Sequence, residues 1–86
     1  MAYYKFRNWK IPERMRVPIE NYLKKKIKPG DFLIAIFENN FVGAFAYADE
    51  ENLNNLPAYG YWLWNKLLFE VWKSKEKVRN WLRKDN

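Results

Sequence analysis

Five polar residues stand beside or within strongly apolar segments of this chain: Arg14, Asn40, Asp49, Asn52 and Asn65. An unpaired polar group in such surroundings is costly, so each needs a partner. Two arrangements would supply one. In the first, Arg14 pairs with Asp49 in a buried hydrogen-bond network and the asparagines cap helix ends. In the second, the same residues form a polar pocket ringed by Tyr61, Trp62 and Trp72. Arg14 would then take a phosphate or carboxylate, and the amides would read a base edge.

Catalytic chemistry has little to work with. The chain has no His and no Cys, so the usual general base near neutral pH and the usual transition-metal ligands are missing. Asp49-Glu50-Glu51 is a carboxylate cluster, and Asp49 with Asn52 would share a helix face. An oxygen-ligand ion such as Mg²⁺ could bind there, but a solvated acidic turn is the simpler account. No phosphate loop, nucleophile elbow or dinucleotide fingerprint is present. The expectation is a protein that is not an enzyme and holds no metal or cofactor.

A second set of residues suits nucleic acid. Lys24, Lys25, Lys26 and Lys28 crowd one helix end, and the first ten residues interleave Arg7 and Trp9 with further cations and rings. The net charge is +6, and Lys and Arg on phosphates release counterions. A duller cause competes. Lys, Asn, Phe, Tyr and Ile together make 38 of the 86 residues, and all five have AT-rich codons.

The elements that must position these groups centre on 29–49, PGDFLIAIFENNFVGAFAYAD. Two aliphatic-aromatic runs flank Asn39-Asn40 there, as two strands of a hairpin or as two helices. Phe41, Ala44, Phe45 and Ala48 fall at helical spacing, continued by Asn52, Leu53 and Leu56, and alanines are poor strand residues, so helices are favoured. Asp31 would cap the first of them and Asn39 or Asn40 the second. Upstream, Pro12 starts a short helical turn and Pro18 a new helix with Ile19, Tyr22, Leu23 and Ile27 inward, stopped by Pro29-Gly30. Downstream, 58–69 is apolar nearly all round, and Ser74 caps a last helix facing inward with Val78, Trp81 and Leu82.

Strings along the chain line up with a known pattern: IPER at 11–14 with Met15, PGDFL at 29–33, Asn39-Asn40, Ala48-Asp49 with Asn52, Asn65, and Trp72 with Ser74. In order and spacing they resemble a family of small proteins of bacteriophages and bacterial mobile elements. Its pattern is I-P-E-R-M, P-G-x-F-L, N-D, A-D-x-x-N, Y-N and W-G-S. The resemblance spans Ile11 to Leu82, implies an all-helical domain and supplies no activity. Departures are Asn40 where Asp is frequent, Leu68 where Pro is common, and Lys73 where Gly precedes the Ser. The missing proline predicts that the 58–69 helix runs longer here.

The sequence therefore predicts an all-α fold: one domain over 1–86, a compact bundle of four to five short helices with residues 1–10 as an extended aromatic arm. The expected function is non-catalytic, phage-type binding that acts on host machinery. It would hold a host protein or sequester a small anionic, nucleotide-like ligand; the alternative is a nucleic-acid-binding accessory protein. The ring-rich 58–69 segment and Gly60 predict a homodimer. With no apolar run near the roughly 20 residues of a membrane span, the chain is expected in the bacterial cytoplasm and off the membrane.

Overall fold

The central stretch folds as two helices, and its polar pair makes the corner between them. Helices α2 (Asp31–Phe37) and α3 (Phe41–Tyr47) meet at Asn39-Asn40. Asn39 takes φ 63, the left-handed conformation that Asn tolerates. The Asn40 carboxamide oxygen then accepts from the Gly43 N–H at 3.0 Å, capping α3 as expected. A Cβ at 43 would lie 2.5 Å from Asn40 Nδ2, so a larger residue there would push the capping carboxamide aside.

The computed structural model describes residues 2–83. A two-stranded antiparallel hairpin, β1 (Ala2–Phe6) and β2 (Trp9–Pro12), leads into a 3-10 turn at Glu13–Met15 and α1 (Arg16–Lys25). After α2 and α3 come α4 (Glu50–Leu53) and α5 (Leu56–Lys66), a 3-10 turn at Phe69–Val71, and α6 (Lys75–Arg83). The fold is mostly helical but not all-α: the expected extended arm is a β-hairpin. Successive side chains of a strand point to opposite faces, and here the pairs Tyr4 with Ile11 and Phe6 with Trp9 alternate with Lys5 opposite Lys10. Arg7 turns the chain at φ 54. The apolar side of the hairpin rests on α5, with Phe6 stacked on Tyr61 at 3.7 Å and Tyr3 edge-on to Trp62 at 6.0 Å.

The core joins both ends of the chain to its middle. Ile11, Ile19, Tyr22, Ile36, Phe37, Tyr59 and Leu63 are its largest fully buried side chains. Tyr22 stacks on Phe37 at 4.1 Å and donates its hydroxyl to the Val71 carbonyl. Ser74 caps α6 as expected, its Oγ accepting from Lys77 N–H at 3.1 Å, with Val78 buried and Trp81 and Leu82 half-buried. No described helix is long and apolar enough to cross a membrane.

Several boundaries differ from expectation for local reasons. Pro18 is the third residue of α1 rather than its first, tolerated because first-turn N–H groups have no acceptor within the helix. α1 ends four residues before Pro29. Lys26 adopts φ 56 and Ile27 N–H reaches back to the Asn21 carbonyl at 3.1 Å, closing the helix without Gly30. Gly30 has an ordinary φ of −69, and Asp31 is the first residue of α2 rather than its cap. α5 stops at Lys66 instead of running on, since Leu67 and Leu68 are extended.

Lys73 sits at φ 108, a conformation that disfavours any side chain. It is held there by its N–H, which donates to the Phe37 carbonyl at 2.8 Å. The resembled pattern carries glycine at this position. Lys73→Gly should raise the urea midpoint, corresponding to a gain of about 1 kcal/mol; an unchanged or lowered midpoint would show that the position carries no strain.

Candidate functional site

The residues expected to converge on a polar pocket divide into two groups. Arg14, Asp49 and Asn52 do come together, in a cleft of about 310 Å³ that Asp31, Phe32 and Tyr47 also line. Asn40, Asn65, Tyr61, Trp62 and Trp72 lie elsewhere. Asn40 caps α3, and Asn65 donates within its own helix to the Tyr61 carbonyl at 2.9 Å. Trp62 and Trp72 are buried in the core, the Trp72 indole N–H without an acceptor among the described residues, and Tyr61 is covered on one side by Phe6.

Arg14 is already engaged. Nη2 donates to Asp49 Oδ2 at 2.7 Å and Nε to Glu51 Oε1 at 2.9 Å. The Arg14 and Asp49 side chains are 49% and 53% exposed, so the expected pair exists but at the surface rather than in a buried network. Arg14 stays charged all the more firmly, because Glu51 first and Asp49 second raise its pKa. Asp49 is held below the usual carboxylate range, first by the Asn52 N–H that it caps at 2.9 Å and then by Arg14. An incoming anion would have to displace two carboxylates, and a cation would have to displace the guanidinium. Among the described residues no group of three or more ligating side chains could hold a metal ion.

Asn52 is the buried member of the set. Its Oδ1 accepts the Tyr59 hydroxyl at 2.7 Å and its Nδ2 points to Met15 Sδ at 3.8 Å. This pairing gives the buried amide one partner for its oxygen and one for its nitrogen. Desolvation pushes the Tyr59 phenol pKa up.

The basic set is also dispersed. Arg7 and Trp9 belong to the hairpin, where Arg7 lies 5.1 Å over the Phe6 ring and Trp9 stacks against Phe6. Lys24 reaches Glu20 at 3.5 Å, Lys25 is exposed, Lys26 sits 4.4 Å over the Trp81 ring and Lys28 lines a cleft beside α6.

What the sequence reading missed is an apolar groove of about 620 Å³ between α3, α4 and α5, walled by Phe41, Phe45, Leu53, Tyr61 and Trp64. Trp64 is 67% and Phe45 57% exposed. α3 buries Ala44 and half-buries Phe41, while Val42, Phe45 and Tyr47, with the outer side of α5, remain exposed. Gly60 forms the floor, where a Cβ would just touch the Phe41 ring at 3.9 Å. The signal was present in the all-round apolar character of 58–69. These features define a small, mostly helical domain with an aromatic hairpin on one side of α5 and an open apolar groove on another. No family model, no curated protein and no solved structure matches the chain.

Two substitutions separate the exposed ion pair from the buried amide. Arg14→Met should change stability by less than about 1 kcal/mol, as surface pairs do. Tyr59→Phe should cost about 1–3 kcal/mol by stranding the buried Asn52 oxygen. Equal effects of the two on the urea midpoint would contradict this assignment.

A pH dependence follows from the buried phenols. Burial raises the pKa of both Tyr22 and Tyr59 above the ordinary 10.0. Above pH 10 the unfolded chain releases phenol protons that the folded chain retains, so stability is full below that pH and falls as pH rises beyond it. The urea midpoint should decline above pH 10, less steeply in Tyr59→Phe; an equally steep decline would remove Tyr59 from the account.

Proposed function

We propose that this chain is a non-catalytic binding protein that holds a partner protein, with the apolar face of one partner helix seated in the groove between α3, α4 and α5. The observation that carries the proposal is the uncovered wall formed by Phe45, Tyr61 and Trp64. With Leu53 it makes one contiguous exposed apolar patch, a feature that is often functional on single-chain proteins. A symmetric dimer of ordinary stability needs about 800 Å² from each copy. The hairpin also covers part of the α5 surface from which a homodimer was expected. One amphipathic helix fits the groove better.

Charge at the groove's edge adds a constraint. Glu50 is exposed and stands one helical turn from Leu53, while α3 and α4 contain no Lys or Arg. The partner helix therefore carries a cation beside its apolar face at that end. The resemblance to phage and mobile-element proteins supports a protein of the bacterial host as the partner. The nucleotide-sequestering form of the function loses its support, since Arg14 is occupied by Asp49 and Glu51.

Nuclease-treated bacterial lysate passed over immobilised protein at about 150 mM salt, near the physiological screening regime, provides the test. A protein retained by the wild type and lost from both Trp64→Glu and Phe45→Glu, with their helical circular dichroism unchanged, is the expected result. Retention by both variants would overturn the proposal. So would light scattering that finds a dimer which Trp64→Glu dissociates, because the groove would then belong to a second copy.

A further inference from the structure

The charges of this chain are sorted along its length. Residues 29–65 contain five carboxylates and no Lys or Arg, so all 16 cations lie in 1–28 and 66–86. Codon drift alone would scatter lysines over any exposed position, and the middle segment has many. Folding brings the end of the first basic segment against the second. The C-terminal end of α1 packs beside α6, with Lys26 Nζ 4.4 Å over the Trp81 ring and the Trp81 indole N–H donating to the Tyr22 carbonyl at 2.9 Å.

A separate cleft of about 280 Å³ opens along this junction, lined by Lys28, Lys75 and Arg79 over an apolar floor of Ile34, Val78 and Leu82, with Glu38 its one carboxylate. Lys75 and Arg79 are one turn apart on α6 and share a face. Arg14, Arg16 and Lys24 all have carboxylates within 4 Å, whereas the three cleft cations have none among the described residues. Among the described residues, three cations therefore face this cleft against one carboxylate, over low-dielectric walls that strengthen the field of the excess positive charge.

We infer that this cleft binds the phosphodiester backbone of a nucleic acid, Lys28, Lys75 and Arg79 each taking a phosphate oxygen. The cations come from two elements, Lys28 beyond α1 and Lys75 and Arg79 a turn apart on α6, so the cleft offers several separate phosphate positions, as a phosphodiester backbone requires. With Lys28, Lys75 and Arg79 engaged on phosphates rather than base edges, binding is indifferent to sequence. The inference does not depend on the apolar groove.

Fluorescence anisotropy with a labelled DNA duplex of about 20 base pairs tests it in low salt, against an RNA of the same length, inorganic phosphate and poly-glutamate as competitors. Three phosphate contacts predict a log Kd that rises with log salt with a slope of about 3. Lys75→Gln combined with Arg79→Gln should weaken binding at least ten-fold and lower that slope to about 1. Glu38→Gln should tighten binding, and Lys66→Gln, on α5, should leave it unchanged. All these positions are half-buried or exposed, and helical circular dichroism confirms that each variant folds. Comparable binding of DNA and RNA supports the backbone assignment. Binding that survives the double variant would overturn it, as would equal competition by poly-glutamate or by free phosphate at matched charge, or no binding in low salt.

Discussion

Tyr22 is the side chain through which the two ends of the chain are fastened to its middle. Its ring stacks on Phe37 of α2, its hydroxyl donates to the carbonyl of Val71, and its own backbone carbonyl accepts the Trp81 indole N–H. Four elements therefore meet at one residue of α1. A tyrosine is suited to this because its ring satisfies the apolar core while its hydroxyl reaches a carbonyl that the core would otherwise strand. The nearby Lys73 N–H to Phe37 carbonyl bond closes the same corner. The rest of the docking of α6 comes from Val78, its one buried residue, and from Leu82, half-buried against the core.

The second constraint is surface. A domain of 86 residues has too much surface for its volume to bury 17 aromatic rings. The chain handles the excess in three ways. Tyr22, Phe37, Tyr59, Trp62 and Trp72 go into the core. The rings of the hairpin cover one side of α5, stacking Phe6 on Tyr61. Phe45 and Trp64 remain outside, at the groove, and the binding function proposed for the chain rests on that residue of uncovered apolar surface.

Polar groups follow the opposite logic. The buried amide, Asn52, is satisfied by Tyr59 and Met15, and the exposed guanidinium, Arg14, by two carboxylates. Each polar set that could have made a ligand pocket is instead closed on itself. Among the described residues, unpaired positive charge lines the cleft where the chain leaving α1 passes α6, while the acidic middle forms α2, α3 and α4.

By itself the sequence determined what short-range physics governs. The Phe41 stripe and the alanines gave helices on either side of Asn39-Asn40, Asn40 and Ser74 capped the helices that follow them, and Val78, Trp81 and Leu82 faced inward. The pairing of Arg14 with Asp49 was one of the two arrangements that their chemistry allowed. Tertiary structure decided the rest. The alternation of rings and cations in 2–12 suits a strand or a free arm equally, and packing on α5 makes it a hairpin. Burial of the Arg14–Asp49 pair was not legible, because polarity and spacing say which groups attract but not how much chain lies over them. The groove was hidden for the same reason: a helix apolar on every side looks alike from sequence whether its neighbours cover it or leave one face open, and only the placement of α3 and the hairpin against α5 distinguishes the two.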